Sequence, residues 1–405
     1  MRGMDTIAIN TVGLLVAAIG VALIARRLAL PYTVGLVAAG VGLALLRLDS
    51  GVALTRDVIF DVILPPLLFE AAINIQWKAL CRNAWPVLTL ALPGTLVAAA
   101  VVATGMVFVL GWPIPAAAVF GALIAATDPV AVIAMFKDNG VSGRARLLVE
   151  SESLFNDGVA AVLFTLVFEA FRTTGAGMSA ADVARALLLT VGGGTAIGLL
   201  CASALLVVVG RTSDHLVEST MTTVVAYGSF LLAEHFHASG VLATVAAGLL
   251  IGNLAVSVDY ERSRMTPRAR EFVIELWEFI AFIANSLVFL LIGLAVAAIP
   301  FGGFGVGTLF AVVGIVLFSR AVTVYPLCLP FRWSHVRVPL GTQHVLWWGG
   351  LRGALGLALA LSLPLDFAFR GQILIATFGV VVFSVVVQGL TMPMLLRRVG
   401  IVPTE

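Results

Sequence analysis

Long apolar runs separated by short polar segments follow one another along the chain. A bilayer hydrocarbon core about 30 Å thick needs roughly 20 apolar residues per spanning helix, and the sequence contains thirteen such runs. Strands of a membrane barrel would instead alternate every two residues. The pattern therefore predicts an all-α polytopic membrane protein with about 13 transmembrane helices. The predicted spans are 6–25, 28–46, 57–75, 86–110, 113–136, 149–171, 181–209, 217–236, 238–256, 272–298, 302–327, 342–364 and 371–395.

The composition narrows the class of protein. The chain has 405 residues, 60% of them hydrophobic and 11% charged, whereas soluble domains carry about 25% charged residues. A formal net charge of +2 gives no reason to expect a nucleic-acid partner. Cys81, Cys201 and Cys328 lie in or beside apolar runs with no metal-binding spacing, so we expect them to be inert packing residues. The sequence predicts one membrane domain over residues 1–405, with no cofactor and no soluble regulatory domain.

Lys and Arg residues are unevenly distributed between the two sides of this topology. Sixteen fall in loops on one side and six on the other. Because cytoplasmic loops carry the excess, we expect the N-terminus to lie outside and the C-terminus in the cytoplasm. The first apolar run lacks a basic leader and a small-x-small cleavage site, so we expect a spanning helix there rather than a signal peptide.

Some ionisable residues fall inside the predicted spans. Each costs at least about 2.5–3.5 kcal/mol on insertion scales and is therefore a functional-site hypothesis. Glu169 lies near the outer end of its span and can reach water. Glu70 is either a helix-packing contact or a pathway residue. The candidates are Glu70, Asp128, Glu152, Asp157, Glu169, Arg320 and Arg352.

Asp128 and Asp157 are placed at similar depth on the adjacent fifth and sixth spans, about equally far from the loop between them. Asp128 belongs to "ATDPVAV", where Pro129 removes a backbone donor and disfavours helical geometry at the preceding residue. A break at mid-membrane is tolerated where it lines a cavity or binds something. The freed carbonyls, the Thr127 hydroxyl and the Asp128 carboxylate are hard oxygen ligands suited to an alkali cation.

The spacing on the sixth span divides its polar residues between two stripes. Ser153 and Asp157 are four residues apart and share one face, and Glu152 and Asn156 share the neighbouring one. Because a buried charge must be paired, we expect Arg352 to be the partner of Glu152.

A group of glycines around Arg352 predicts a second break. The twelfth span is therefore, like the fifth, a candidate for an interrupted helix. The two spans occupy corresponding positions in two six-helix halves, which is the arrangement of an inverted-repeat transporter with a site near the midplane. The glycines are Gly349, Gly350, Gly353 and Gly356.

At these residues the chain closely resembles the sodium/proton antiporters of the NhaP/NHE kind, within the monovalent cation:proton antiporter superfamily. The stretches that carry the resemblance extend from the second span to the thirteenth. They are "LPYTVGLVAAGVGL", "ILPPLLFEAAIN", "ATDPVAV", "ESLFNDG", "SGVLATVAAGLLIGN", "FIANSLVFLLIGL", "GGLRGAL" and "VVVQGLTMPML".

The resemblance implies an antiporter that exchanges Na⁺ or Li⁺ for H⁺ and serves pH homeostasis in a bacterial cytoplasmic (inner) membrane. It implies a homodimer in contact with membrane lipids. Each subunit would have a dimerisation domain, approximately 6–75 and 181–298, and a core domain, approximately 86–171 and 302–395, that moves like an elevator. Relatives often carry a cytoplasmic regulatory tail, which we expect to be absent or removed here because the chain ends at Glu405.

The resemblance also implies residue roles. Asp157 would bind the cation or the proton in turn, and Thr127, Asp128 and Ser153 would help to coordinate the cation. Glu152 and Arg352 would form a structural ion pair that orients the site.

Asn156 would support the site. Electrogenic relatives have a second Asp at its position, so the resemblance implies electroneutral one-for-one exchange here. Arg320 and Glu70 are accessory candidates.

Other functions need the same residue types. A K⁺/H⁺ antiporter is the nearest alternative, because oxygen ligands alone do not fix the ion radius. A cation channel would conduct ions without proton coupling. An intramembrane aspartyl protease would also use two facing Asp residues.

Overall fold

The computed structural model of the protein describes residues 2–28, 31–46, 54–138, 140–172, 180–209, 211, 214–256, 265–297, 299 and 304–402. No strand occurs among these residues, which confirms the predicted all-helical architecture. The first α-helices are α1 (Arg2–Leu28), α2 (Tyr32–Leu45), α3 (Leu64–Ile73), α4 (Trp77–Arg82), α5 (Ala84–Ala91), α6 (Pro93–Leu110), α7 (Ile114–Ile124), α8 (Val130–Asp138) and α9 (Arg144–Arg172). The later ones are α10 (Ala180–Leu187), α11 (Gly193–Val209), α12 (His215–His235), α13 (Gly240–Ile251), α14 (Pro267–Ala297), α15 (Val306–Cys328), α16 (Leu340–Trp348), α17 (Ala354–Leu361), α18 (Arg370–Phe383) and α19 (Gly389–Arg398).

Several helical segments are long and apolar enough to cross a membrane. Among the described residues there are seven: Ala84–Leu110, Arg144–Arg172, Arg185–Val209, His215–His235, Pro267–Ala297, Val306–Phe331 and Arg370–Arg398. Shorter apolar helices lie at Val12–Ile24, Tyr32–Leu45, Ile114–Ile124 and Gly240–Val256. Every predicted span overlaps at least one helix. The count of thirteen crossings, their orientation and the inverted repeat stay predictions.

The helices pack in two groups. Helices α2, α3 and α11–α14 contact one another, and α5–α7, α9 and α15–α18 form the second group. Within the first group, α2 and α14 meet through glycines, because a Cβ on Gly40 would lie 2.2 Å from the Leu290 carbonyl oxygen and one on Gly293 would lie 2.3 Å from that of Val37. Small residues allow this close approach of helix backbones in membranes.

Both predicted interruptions are present. Residues 125–129 separate α7 from α8, and residues 349–353 separate α16 from α17. The two extended segments contact each other directly, since the Asp128 N–H donates a hydrogen bond of 2.8 Å to the Leu351 carbonyl oxygen. The breaks therefore form one crossing in the second helix group.

Short π-helical turns occur next to some of the helices. They lie at Val58–Ile63, Leu188–Gly192, Gly252–Val256 and Ser384–Gln388, and such turns are common at functional sites. The last one serves the crossing, because the Gln388 side-chain amide donates to the Trp348 carbonyl oxygen at 2.7 Å. It thereby satisfies a carbonyl at the end of α16 that has no intrahelical partner.

Candidate functional site

Asp128 lies where two helices begin. Its Oδ1 accepts a hydrogen bond of 3.0 Å from the N–H of Val130, the first residue of α8. The N–H of Ala354, the first residue of α17, interacts with the same carboxylate. Since a helix N-terminus carries partial positive charge, two half-helices stabilise the negative charge of Asp128.

Arg352 has the complementary position at the end of α7. Its Nη1 donates to the carbonyl oxygens of Ala125 at 3.0 Å and Ala126 at 2.8 Å. A cation at a helix C-terminus is favoured by the helix dipole. The side chain is buried, and its Nε has no hydrogen-bond partner among the described residues.

The carbonyls freed by the first break are already occupied by protein donors. In addition to Arg352, the Asn156 Nδ2 donates to the Ala125 carbonyl oxygen at 3.2 Å, and the Ser153 hydroxyl donates to that of Thr127. Since a carbonyl oxygen has two lone pairs, the expectation that these carbonyls would also serve a cation stays a prediction.

A chain of hydrogen bonds joins α9 to the break and to α6. The Asn156 Nδ2 donates to the Thr127 Oγ1 at 3.1 Å, and Thr127 Oγ1 lies 3.3 Å from the Ser153 Oγ. On the far side, the Thr95 hydroxyl lies 2.8 Å from the Asn156 Oδ1. All four side chains are buried.

Glu152 is paired with Arg320 on α15. Arg320 Nη1 and Nη2 donate to the two Glu152 carboxylate oxygens, each at 2.8 Å, and both side chains are buried. The predicted ion pair between Glu152 and Arg352 is therefore wrong, because Arg352 instead donates to the carbonyl oxygens that follow the C-terminal end of α7.

The reason for this pairing lies in α16 and the break after it. The Arg320 Nε donates to the Leu346 carbonyl oxygen at 3.1 Å. A Cβ on Gly350 would lie 2.6 Å from that Nε, so the glycine leaves the space that the guanidinium occupies. Arg320 is thus a structural partner that fixes α9, α15 and α16 to one another.

Asp157 faces a cavity of about 870 Å³ that is also lined by Asp128, Thr127 and Ser153. No group among the described residues donates a hydrogen bond to the Asp157 carboxylate or forms an ion pair with it within 4.0 Å. Asp128, Glu152 and Arg352 are close enough to act on it electrostatically. The cavity thus brings together the four oxygen-bearing side chains predicted as ion ligands.

Charged residues line the cavity farther from Asp157. Lys137, at the end of α8, has its Nζ 3.0 Å from Glu278 Oε1 on α14 and 3.8 Å from Glu70 Oε1 on α3. Glu150 also lines this region and is paired with Arg146 at 2.7 Å. Glu70 lines the cavity, and its role as a helix-packing contact or as a pathway residue stays a prediction.

Two residues of this region were not predicted as site residues. Thr95 is an isolated hydroxyl in an apolar helix, and such residues commonly hydrogen-bond only to their own backbone. From the sequence, Lys137 was expected to be an ordinary cation in a loop. Neither the residue type nor the spacing identifies Thr95 and Lys137 as site residues; only the packing of α6 and α14 does.

Comparisons with known proteins agree with this architecture. The sequence model of the family described as "Sodium/hydrogen exchanger, transmembrane" matches residues 14–398. The Na⁺/H⁺ antiporter ApNhaP of Aphanothece halophytica is 39% identical over 355 residues, which are 87% of this chain and 66% of that protein. The Na⁺/H⁺ antiporter NhaH of Halobacillus dabanensis is 35% identical over 347 residues, 85% of this chain and 83% of that protein.

A solved structure is similar along nearly the whole chain. The sodium proton antiporter MjNhaP1 from Methanocaldococcus jannaschii superposes with a TM-score of 0.76 at 20% identity, and the match covers 98% of each chain. At this identity the likeness concerns the fold. This chain spans slightly less than two thirds of the length of the Aphanothece protein.

Proposed function

The chain belongs to the sodium/hydrogen exchanger family, and on that premise we propose that it is a secondary antiporter exchanging Na⁺ or Li⁺ for H⁺ at Asp157. The observation that carries the proposal is the Asp157 carboxylate, which faces the cavity without a hydrogen-bonding partner among the described residues. Three oxygen-bearing side chains line the cavity beside it: Thr127, Asp128 and Ser153.

The charges around the site support exchange of one monovalent ion. The pair of Glu152 with Arg320 is neutral as a unit, and Arg352 lies close enough to Asp157 to offset one further carboxylate. Asp128 and Asp157 therefore leave one negative charge without a counter-charge. A single Na⁺ or a single proton restores neutrality.

Competition for this charge couples the two ions. Burial disfavours the charged form of a carboxyl group, so the site is stable when loaded with either a proton or a cation and unstable when empty. The protein then changes the exposed side only when it is loaded, which links one gradient to the other. The cavity lies between the two helix groups, which supports movement of one group against the other.

Asn156 supports electroneutral exchange. Its amide donates to the Ala125 carbonyl oxygen and to the Thr127 hydroxyl, and an ionised carboxylate at this position would have no hydrogen to donate. The surroundings of residue 156 therefore suit a neutral amide rather than a second titrating acid.

Proton flux in proteoliposomes tests the proposal. We expect Na⁺ or Li⁺ to drive proton movement in wild type with no dependence on membrane voltage, and Asp157→Asn to abolish it while the protein still folds. Glu169→Gln on the same helix is the matched control, because Glu169 is about half exposed and pairs with Arg172 at the helix end. Proton-coupled Na⁺ uptake by Asp157→Asn would contradict the proposal.

The same assay separates the alternatives. Proton flux driven by K⁺ in preference to Na⁺ would identify a K⁺/H⁺ antiporter. Cation flux without proton movement would identify a channel. We also propose that the protein works as a homodimer in a cytoplasmic membrane, which cross-linking in native membranes tests.

A further inference from the structure

We propose that Thr95 on α6 is a positioning residue that fixes the orientation of the Asn156 amide, and through it the hydrogen bonds of Thr127 and Ser153. The inference rests on the proposed function of the cavity. Thr95 does not line the cavity and does not touch the cation ligands. Its effect on ion binding would be transmitted entirely by Asn156.

The contacts of Thr95 define this role. Its hydroxyl lies 2.8 Å from the Asn156 Oδ1 and 2.5 Å from the Ala91 carbonyl oxygen one turn earlier. The side chain is 1% exposed, so water does not replace it. The hydroxyl has one hydrogen, which the Asn156 Oδ1 and the Ala91 carbonyl oxygen share, and no other protein group among the described residues donates to the Asn156 oxygen.

The direction of the amide matters because its two ends have opposite hydrogen-bonding character. With Oδ1 toward Thr95, the Nδ2 donates to the Ala125 carbonyl oxygen and to Thr127 Oγ1. A rotated amide would place its oxygen against the Ala125 carbonyl oxygen, and two acceptors repel each other. The Ala125 carbonyl oxygen and the Thr95 hydroxyl, as donor to Oδ1, therefore together favour the orientation in which Thr127 receives a hydrogen bond.

The orientation of Thr127 determines what the cavity offers to a cation. Because Thr127 Oγ1 accepts from Asn156, its own proton is directed toward the Ser153 Oγ at 3.3 Å. Ser153 in turn donates to the Thr127 carbonyl oxygen. The Ser153 oxygen then presents a remaining lone pair rather than its proton to the cavity. A cation prefers that arrangement.

Helix α6 supplies a matched control. Thr104 makes the same bond to its own helix, from its hydroxyl to the Ala100 carbonyl oxygen at 2.7 Å, but it is exposed and lies nine residues farther along α6 than Thr95. Comparing the two residues therefore separates the loss of a hydrogen bond within the helix from the loss of a hydrogen bond that orients the site. Replacing either by valine keeps the shape and removes the hydroxyl.

The experiment compares Thr95→Val, Thr95→Ser and Thr104→Val in proteoliposomes. We expect Thr95→Val to raise the apparent KM for Na⁺ at least about fivefold, since a buried acceptor loses its donor. Thr95→Ser retains the hydroxyl and should stay within about twofold of wild type, as should Thr104→Val. If Thr95→Val does not fold, Thr95→Cys, which offers only a weak donor, replaces it.

A double substitution distinguishes positioning from a purely structural role. If Thr95 acts through Asn156, Thr95→Val should add no further rise in KM to Asn156→Ala. An unchanged KM in Thr95→Val with a lower melting temperature would overturn the inference, as would equal impairment of Thr95→Ser. Absence of Na⁺-driven proton flux in wild type would instead overturn the proposed function, and this inference with it.

Discussion

At the residue scale, the buried pair of Glu152 and Arg320 supports the site. Two hydrogen bonds of 2.8 Å join the side chains, and Arg320 is further held by the Leu346 carbonyl oxygen. A buried pair of this kind adds little net stability over an apolar replacement, but removal of one partner leaves an unpaired charge. The pair therefore acts as a rigid support for α9, the helix that carries Asp157.

Single substitutions of this pair should destabilise the protein. We expect Glu152→Gln or Arg320→Met to lower the free energy of unfolding by about 3–5 kcal/mol, and the double variant to recover part of the loss. Thermal unfolding in detergent measures both effects. Single variants that unfold like wild type would show that the pair is not formed in the membrane protein.

The sequence predicted the charged residues of the site but not this pairing. The depth of a residue along a helix follows from its number, so the similar depths of Asp128 and Asp157 could be predicted. Residue number does not show which neighbouring helix lies on which side, so the sequence could not decide between Arg320 and Arg352 as the partner of Glu152. The space beside Gly350 decides in favour of Arg320.

At the element scale, the two broken helices depend on each other. Each break contains the residue that satisfies the other: Arg352 donates to the end of α7, and Asp128 accepts from the start of α17. Pro129 and the glycines indicated both breaks from the sequence. The π-helical turn at Ser384–Gln388, which turns Gln388 toward the Trp348 carbonyl oxygen, had no specific sequence signal, because the three valines of "SVVVQ" lower helix propensity without indicating a π-helical turn.

Gly353 lies against Asp128 where the two broken helices meet. A Cβ there would lie 1.8 Å from the Asp128 Oδ2, so we expect Gly353→Ala to displace Asp128 and abolish exchange. Gly314→Ala in α15 is the control, since no atom lies within 4 Å of a Cβ at that position. Proton flux and melting temperature together report the effect, and wild-type flux in Gly353→Ala would exclude this close approach in the working protein.

At the scale of the whole molecule, the cavity separates the two helix groups. Lys137 bridges it, since α8 carries this residue and its partners Glu278 and Glu70 lie on α14 and α3. These side chains are partly exposed, so their ion pairs contribute at most about 1 kcal/mol. Contacts this weak are compatible with repeated opening and closing of the cavity.

Competition at one carboxylate predicts how pH and Na⁺ act together. In the proposed function, Na⁺ binding to Asp157 opposes protonation and the coupling is reciprocal, so we expect more Na⁺ to move the acid-side midpoint of exchange to lower pH. The shift should approach about one pH unit per tenfold increase in saturating Na⁺. Proton flux recorded across pH at several Na⁺ concentrations measures it, and a fixed midpoint would mean that the two ions bind to different groups.

Arg352 of the second break interacts with the end of α7, and Asp128 of the first break interacts with the start of α17. This mutual dependence has a consequence for inheritance and for engineering. Neither broken helix is complete without the charge contributed by its counterpart, so the two segments are expected to change together among descendants of a common ancestor. A chimera that takes residues 114–138 from a distant relative should recover function only when residues 340–361 come from the same donor. The exchangeable unit of this protein is then a pair of segments more than 200 positions apart in the chain.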